Sequence, residues 1–184
     1  FFEKLISVET FDIIKECSTS SIEELVSKSN IIFLCLPTPM NKDGSTNFDI
    51  INDVLAEINS FYSAKSEKTF VIKSTIPVGT TKDFIDKFNR LELVFNPEFL
   101  REASFVEDFS NQNRIILGYN KRNDLIFNLY KEYFPNTEII EVDSPTAEMV
   151  KYLVNCFLAT KVSFANEMKL FCDAKKINYN DVIK

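Results

Sequence analysis

The sequence predicts an α/β fold, in which an incomplete parallel sheet with flanking helices is followed by a long helix that opens an all-α domain. Short apolar runs alternate with stretches of helical spacing over residues 30–142, and this alternation is typical of such sheets. The connections between the runs are long, which indicates parallel pairing of the strands. Beyond Ser144-Pro145 about thirty residues follow without glycine or proline, as in one long helix.

Five segments are predicted to form the strands of the sheet. The run at 30–36 (NIIFLCL) is continuously apolar, which is typical of a strand buried on both faces, and Pro37 ends it. The other segments are shorter. The predicted strands are 30–36, 69–73, 91–95, 114–118 and 138–142.

Capping signals mark the predicted helices between and after these strands. Ser21 begins a capping box (SIEE) on a short helix. Thr80 or Thr81 is expected to cap the helix after the second strand. Ser144 is expected to cap the long helix, with Pro145 at its first helical position. The remaining predicted helical segments are 47–64, 81–88 and 124–134.

Composition and charge exclude several classes of function. The net charge is −6 and no basic stripe occurs, so we expect neither nucleic acid nor a membrane as a partner. The chain has no histidine and no C-x-x-C pair, so no metal site is expected. Cys35 and Cys156 lie in apolar runs, which indicates buried, reduced thiols. Because no signal peptide and no long apolar segment is found, we expect a cytoplasmic protein.

Both ends of the sequence look cut, and one expected motif is missing. The chain begins at Phe1 rather than at a methionine, and it ends at Lys184 within a predicted helix. Its three glycines do not form the G-x-G-x-x-G turn that binds dinucleotide phosphates. We therefore expect an internal fragment of a longer protein, with a domain boundary near residue 144.

Two segments that follow predicted strands carry candidate functional groups. In KSTIPVGTT at 73–81, hydroxyls and free backbone N–H groups at a helix start can hold an anion or position water. The alternative is a strand end with a helix cap. In NPEFLRE at 96–102, Glu98 and Glu102 share a face if the segment is helical, and they can act as bases or accept bonds from sugar hydroxyls. The alternative is a solvated acidic first turn.

The long helix carries a third candidate pair. Residues 149–159 are apolar nearly all round, so this part of the helix is expected to be buried. Lys151 and Asn155 are the exceptions, and they lie one turn apart on one face. A buried ammonium beside an amide would stabilise a developing oxyanion. The alternative is a lysine that reaches solvent and an asparagine satisfied locally.

Taken together, these motifs resemble the UDP-glucose/GDP-mannose dehydrogenase family. The resemblance spans about residues 20–180, and KSTIPVGTT and PEFLRE are its specific motifs. The matching segments are 36–39 (LPTP), 73–81, 96–102, Asp108-Phe109, 114–118 (RIILG) and, from Ala147 to Glu167, AExxKxxxNxxxAxKxSFxNE.

The resemblance implies a Rossmann-like fold and NAD as the cofactor. Residues 1–143 would be the remainder of the N-terminal NAD-binding domain, and residues 144–184 the connecting helix and the start of a central dimerisation domain. The implied reaction oxidises the C6 alcohol of a nucleotide sugar to a carboxylate with two NAD, through a cysteine thioester. The Gly-rich turn and the nucleophilic cysteine would lie outside this chain, so we expect the chain alone to be inactive. A homodimer through the long helix is also implied.

The resemblance further implies roles for single residues. Thr75 would position water, Glu98 would act in acid/base chemistry and hydrolysis, and Glu102 would lie near the substrate and the nicotinamide. Lys151 and Asn155 match a pair that stabilises the oxyanion. Substrate contacts are implied for Glu98, Phe99, Leu100, Arg101, Lys151 and Asn155, and cofactor contacts for Pro37, Thr38, Pro39, Ser74, Thr75 and Glu102.

Three alternatives stay open for the substrate and the activity. UDP-glucose is the expected substrate of the parent protein, and GDP-mannose is the alternative. The PEFLRE form argues against the N-acetylmannosamine branch of the family. A third possibility is a non-catalytic remnant that only forms oligomers through the long helix.

Overall fold

The computed structural model describes residues 7–63 and 67–184 and contains a five-stranded sheet with flanking helices. The strands occur in the sheet in the same order as in the chain. A helix of 31 residues follows the last strand. The predicted fold class is therefore confirmed. The strands are β1 (Ile31–Leu34), β2 (Thr69–Ile72), β3 (Glu92–Phe95), β4 (Arg114–Gly118) and β5 (Glu138–Val142).

One strand pair differs from the predicted pairing. β1, β2 and β3 are parallel neighbours, and so are β4 and β5. β3 and β4, however, pair in the antiparallel direction through Phe95 and Gly118. The connection between them contains only a 3-10 turn, Glu102–Ser104, and a six-residue helix. No helix there is long enough to carry the chain back along the sheet, so a parallel crossover does not form.

Seven α-helices accompany the sheet within the described residues. They are α1 (Ile22–Lys28), α2 (Asp49–Phe61), α3 (Thr80–Lys87), α4 (Phe105–Ser110), α5 (Asp124–Tyr133), α6 (Ser144–Ala174) and α7 (Tyr179–Val182). Neither α4 nor α7 was predicted. The other five begin and end within a few residues of the predicted helices, and position 64, where one prediction ended, lies outside the described residues.

Two of the predicted helix caps are wrong. Ser21 caps α1 as predicted, because its hydroxyl accepts the N–H of Glu24 at 3.1 Å. The residue that precedes α3 is Gly79, at φ +95°, and not a threonine. The cap of α6 is Asp143, whose carboxylate accepts the N–H of Thr146 at 2.8 Å. Ser144 is already helical, and the preceding residue therefore supplies the capping oxygen.

The core lies on both faces of the sheet. Val71 and Val94 belong to a cluster on the face that α5 covers, and Tyr130 of α5 packs into it. Phe70, the neighbour of Val71, points to the opposite face and contacts Tyr62 just after α2, with ring centroids 5.4 Å apart. Helices therefore cover both faces of the sheet, as a continuously apolar strand predicts.

A glycine ends β4 because the start of α6 passes close to it. A Cβ placed on Gly118 would lie 2.5 Å from the Cβ of Ala147 and 3.1 Å from the Cα of Ser144. Any larger residue would have to push the helix away from the strand. Gly118 thus sets how closely the first turn of α6 approaches the sheet.

The chain separates into two compact units, Phe1–Met149 and Val150–Lys184. The second unit contains the larger part of α6 and all of α7. Leu153, Phe157 and Leu158 are each more than half exposed, so the prediction of a buried helix at 149–159 is wrong for this chain. An apolar helix surface is covered either by its own chain or by another one, and the sequence pattern does not distinguish the two.

Two further expectations concern thiols and membranes. Cys35 and Cys156 are exposed, so the prediction that they are buried is also wrong; Cys172 is the buried cysteine. Within residues 7–63 and 67–184, no helix is both long and apolar enough to cross a membrane. The same ranges contain no cluster of three or more His, Cys, Asp or Glu side chains suited to a metal ion.

Candidate functional site

Hydrogen bonds join the two loops that follow β1 and β2, at the carboxyl ends of these strands, so that the loops form one surface. The hydroxyl of Ser74 donates to the carbonyl of Leu36 at 2.6 Å and accepts the N–H of Leu36 at 3.1 Å. The hydroxyl of Thr38 donates to the carbonyl of Thr75 at 2.9 Å. Ser74 is buried, whereas Pro37 and Pro39 are exposed. The predicted cofactor residues of these two loops therefore lie together, where ligands bind in open α/β sheets.

A buried carboxylate fills the start of α3. The N–H of Gly79 donates to Oε2 of Glu148 at 2.5 Å, and the N–H of Thr81 donates to Oε1 at 2.8 Å. Glu148 is fully buried. The N–H groups that were expected to hold an anion are thus engaged by a side chain of the same protein.

No role was predicted for Glu148 from the sequence, although this residue lies in the AExxK segment. Its partners are 67 and 69 residues away, so no local pattern points to them. The one available signal was an acidic residue inside a mainly apolar helix, which needs hydrogen-bond donors if it is buried.

Asn96 joins four elements at the end of β3. Its Oδ1 accepts Nζ of Lys73 at 2.9 Å and the hydroxyl of Tyr130 at 2.5 Å, and its Nδ2 donates to the carbonyl of Ile116 at 2.7 Å. Burial raises the pKa of the Tyr130 hydroxyl, so it stays protonated as a donor. Because Asn96 directly precedes the PEFLRE motif, this network fixes where that motif leaves the sheet.

The PEFLRE segment is a loop and not a helical turn. Residues 97–101 are not helical, so Glu98 and Glu102 do not share a helical face as expected. Glu98 is half-buried, and its carboxylate accepts the N–H of Leu100 at 2.8 Å. Phe99 lies beneath the guanidinium of Arg114, which is 5.6 Å from the ring centroid. The side chain of Glu102 lies outside the described part of the structure.

An ion pair anchors the far end of this loop. Asp108 accepts the backbone N–H of Arg101 at 2.9 Å, and its two oxygens accept Nε at 3.0 Å and Nη2 at 2.6 Å. Ser104 donates to the same carboxylate at 3.1 Å. The Arg101 guanidinium holds the pKa of the Asp108 carboxyl well below its usual range. The loop that carries Glu98 is therefore attached at Asn96 and again at Asp108.

Lys151 and Asn155 lie in α6, within the second unit. Lys151 is 5% exposed, whereas Asn155 is exposed. The two residues are one helical turn apart, as predicted. Their role in stabilising an oxyanion stays a prediction, as do the roles of Thr75, Glu98 and Glu102.

Comparison with known proteins decides the family. The profile of the UDP-glucose/GDP-mannose dehydrogenase family, NAD-binding domain, matches residues 12–134. The profile of the central domain of the same family matches residues 145–184. The chain belongs to the UDP-glucose/GDP-mannose dehydrogenase family. The resemblance seen in its motifs is thereby confirmed over most of the sequence.

Individual proteins are similar to this sequence over most of the chain. A UDP-glucose 6-dehydrogenase of Campylobacter jejuni is 35% identical over 173 residues, which cover 91% of this chain and 43% of the relative. An uncharacterized protein of Methanocaldococcus jannaschii is 38% identical over 169 residues, 84% of this chain and 19% of the relative. The chain thus spans less than half the length of these relatives.

Solved structures of the family give the same result. A GDP-mannose dehydrogenase of Pseudomonas aeruginosa superposes with a TM-score of 0.79 at 29% identity, over 90% of this chain and 40% of that one. A UDP-glucose dehydrogenase of Pyrobaculum islandicum superposes with a TM-score of 0.77 at 28% identity, over 89% and 40%.

NAD is the cofactor of this family's N-terminal domain, and the residues present fit part of it. The joined loops offer two exposed prolines and the half-buried Thr75, a mainly apolar surface suited to a ring and a ribose. They offer no phosphate site, because Glu148 engages the N–H groups of Gly79 and Thr81. The fit is therefore to the ring and ribose parts of NAD rather than to its pyrophosphate.

Proposed function

We propose that the full-length protein oxidises the C6 alcohol of UDP-glucose to the carboxylate of UDP-glucuronate. Each turnover removes two hydrides from C6, and water supplies the second carboxylate oxygen through a cysteine thioester. NAD accepts the hydrides. The observation that carries the proposal is the 35% identity to a UDP-glucose 6-dehydrogenase over 91% of this chain.

The geometry of the first unit supports roles for Thr75 and Glu98. Thr75 lies on the joined loop surface, where its hydroxyl positions water beside the cofactor. Glu98 is half-buried in a loop attached at Asn96 and at Asp108, so its carboxylate is held in place while it moves a proton. Glu102 acts near the nicotinamide in the same loop.

Lys151 and Asn155 stabilise negative charge on the substrate oxygen in this proposal. The low exposure of Lys151 supports the role, because a charge shielded from water acts more strongly on a nearby oxyanion. The backbone of Phe99, Leu100 and Arg101 contacts the sugar. The N–H groups of Leu100 and Arg101 already donate to carboxylates. The contacts to the sugar would therefore come from the carbonyl groups of these residues, or from their N–H groups after a shift of the loop.

GDP-mannose is the second candidate substrate. The superposition on the Pseudomonas aeruginosa GDP-mannose dehydrogenase, at a TM-score of 0.79, favours it. Initial rates of the full-length protein with the two sugars, at equal concentration and saturating NAD, separate the candidates. We expect a higher kcat/KM for UDP-glucose. A higher kcat/KM for GDP-mannose would reverse the assignment, and NADH formation with neither sugar would favour a non-catalytic remnant.

We further propose a homodimer that forms through α6, and a cytoplasmic location. The exposed apolar residues of the helix support the first proposal, since large apolar patches mark interaction surfaces. The four free cysteines support the second, because thiols stay reduced in the cytosol.

A further inference from the structure

We infer that Glu148 is a positioning residue for the cofactor loop: its buried carboxylate holds the turn at 74–79 in the shape that presents Thr75 to NAD. The inference rests on the proposed function, because it concerns a loop assigned to the cofactor. Glu148 itself touches neither cofactor nor substrate in this account; it acts through the turn.

The hydrogen bonds of Glu148 form only if the N–H groups of Gly79 and Thr81 point towards its carboxylate. A buried carboxylate loses its hydration and stays stable only if donors replace the water. Here two N–H groups at the start of α3 do so, at 2.5 and 2.8 Å, and the helix dipole favours the negative charge. One of these donors belongs to Gly79, whose φ of +95° suits glycine and few other residues. The carboxylate therefore selects one conformation of the turn.

The opposite end of the turn is fixed independently. Ser74 exchanges two hydrogen bonds with the backbone of Leu36, and Thr38 donates to the carbonyl of Thr75. The turn is thus held at its start by the loop after β1 and at its end by Glu148. Between these points Ile76 is fully buried and Val78 is half exposed, so packing holds the first half of the turn and the bonds to Glu148 hold the second half. Removing those bonds releases the end of the turn at Gly79, and Thr75 is then held only from its own side of the turn.

The charge and shape of the carboxylate both matter for this role. A glutamine has the same size, but only one of its two polar atoms accepts a hydrogen bond. Its NH₂ group would face an N–H group, so Glu148→Gln keeps the packing and loses one of the two bonds. Glu148→Asp keeps both acceptor oxygens on a shorter side chain.

The experiment uses the intact full-length protein and two readouts. Amide hydrogen exchange measures the protection of Gly79 and Thr81 without cofactor, and titration measures the affinities for NADH and for UDP-glucose. For Glu148→Gln we expect faster exchange at both amides and about tenfold weaker NADH binding, the effect of one lost charge-assisted bond. Affinity for UDP-glucose should stay within about twofold, and Glu148→Asp should recover part of the NADH affinity. Glu57→Gln, on the exposed surface of α2, is the control and should change neither readout.

Several outcomes would overturn the inference. NADH binding by Glu148→Gln within about twofold of the wild type would show that the bonds do not position the loop. Equal losses of NADH and UDP-glucose affinity would indicate a general structural role. If Glu148→Gln does not fold, Glu148→Asp gives the same comparison, and unchanged NADH binding there contradicts the inference. A wild type that binds no NADH would instead contradict the proposed function, and the inference with it.

Discussion

Single side chains hold the loops of the candidate site in place. Ser74, Asn96 and Asp108 each bond backbone groups of a neighbouring segment, and Glu148 does the same across 69 residues of sequence. Such bonds fix a loop more firmly than its own packing, because the loops are short and partly exposed. The residues expected to do chemistry therefore depend on others that the motifs alone do not single out.

The sequence singled out candidate chemical residues but not the residues that support them. Thr75, Glu98 and Lys151 were proposed from motifs at strand ends and on an apolar helix, and their roles stay predictions. Tyr130 and Glu148 were missed because their partners are distant in sequence and are chosen by the fold. A pattern of apolar and polar residues predicts which face of a helix or strand is buried, but not which atom a buried side chain contacts across the core.

Replacing Lys151 by alanine tests the oxyanion role at the residue scale. We expect kcat of the full-length protein with UDP-glucose to fall by roughly 100-fold or more, because a positioned donor to the developing charge is lost. The melting temperature should change little. Lys169→Ala on the same helix removes only an exposed pair with Asp173 and should keep near-normal turnover. Unchanged turnover of Lys151→Ala would refute the assigned role.

At the scale of elements, the apolar runs predicted the five strands but not all of their directions. The central runs form strands because they bury both faces, as Val71 and Phe70 do in β2. The direction of β4 depends instead on the path between 96 and 113, where two short helical pieces replace a crossover helix. The cap of α6 was misplaced by one residue, because the neighbouring polar residues Asp143 and Ser144 compete for one position. The cap of α3 was misplaced because the backbone before that helix takes a positive φ, which suits Gly79.

The ion pair between Arg101 and Asp108 predicts a pH dependence for the PEFLRE loop. Because the pKa of Asp108 is lowered in the folded state, its stabilising effect is present above about pH 4 and is lost as the pH falls below that value. At a pH of about 5 to 7, the wild type should therefore need a higher denaturant concentration than Asp108→Asn to reach its unfolding midpoint. The difference between the two midpoints should narrow below about pH 4, where the Asp108 carboxyl takes up a proton in the unfolded chain.

Denaturant unfolding of both proteins across this pH range makes the measurement. Asp86→Asn, an exposed carboxylate on α3, is the matched control and should show no such trend. A difference that stays constant as the solution is acidified would argue that Asp108 supports the loop through packing rather than through its charge.

At the scale of the whole molecule, α6 presents an apolar face that its own chain leaves exposed. Five large residues recur at spacings of three, four and seven, which places them on one side of the helix. All are more than a third exposed: Leu153, Phe157, Phe164, Met168 and Phe171. The sequence predicted the helix and its apolar character, but it could not predict that this face would be left uncovered.

Charged substitutions on this face test the proposed homodimer. We expect the full-length wild type to be dimeric by size-exclusion chromatography with light scattering, and Phe157→Glu combined with Phe164→Glu to be monomeric, because buried unpaired carboxylates oppose association. Leu170→Glu changes an equally exposed residue on another side of the helix and should stay dimeric. A monomeric wild type would contradict the proposed homodimer, and a dimer that survives the double substitution would place the interface elsewhere.

The central claim is a four-electron oxidation of a nucleotide sugar, and the amount of NADH formed tests it most directly. Full-length protein with limiting UDP-glucose and excess NAD should form two NADH for each sugar consumed, with UDP-glucuronate as the product. One NADH for each sugar would mean that oxidation stops at the aldehyde, and no NADH would mean that UDP-glucose is not the substrate; either result would contradict the account.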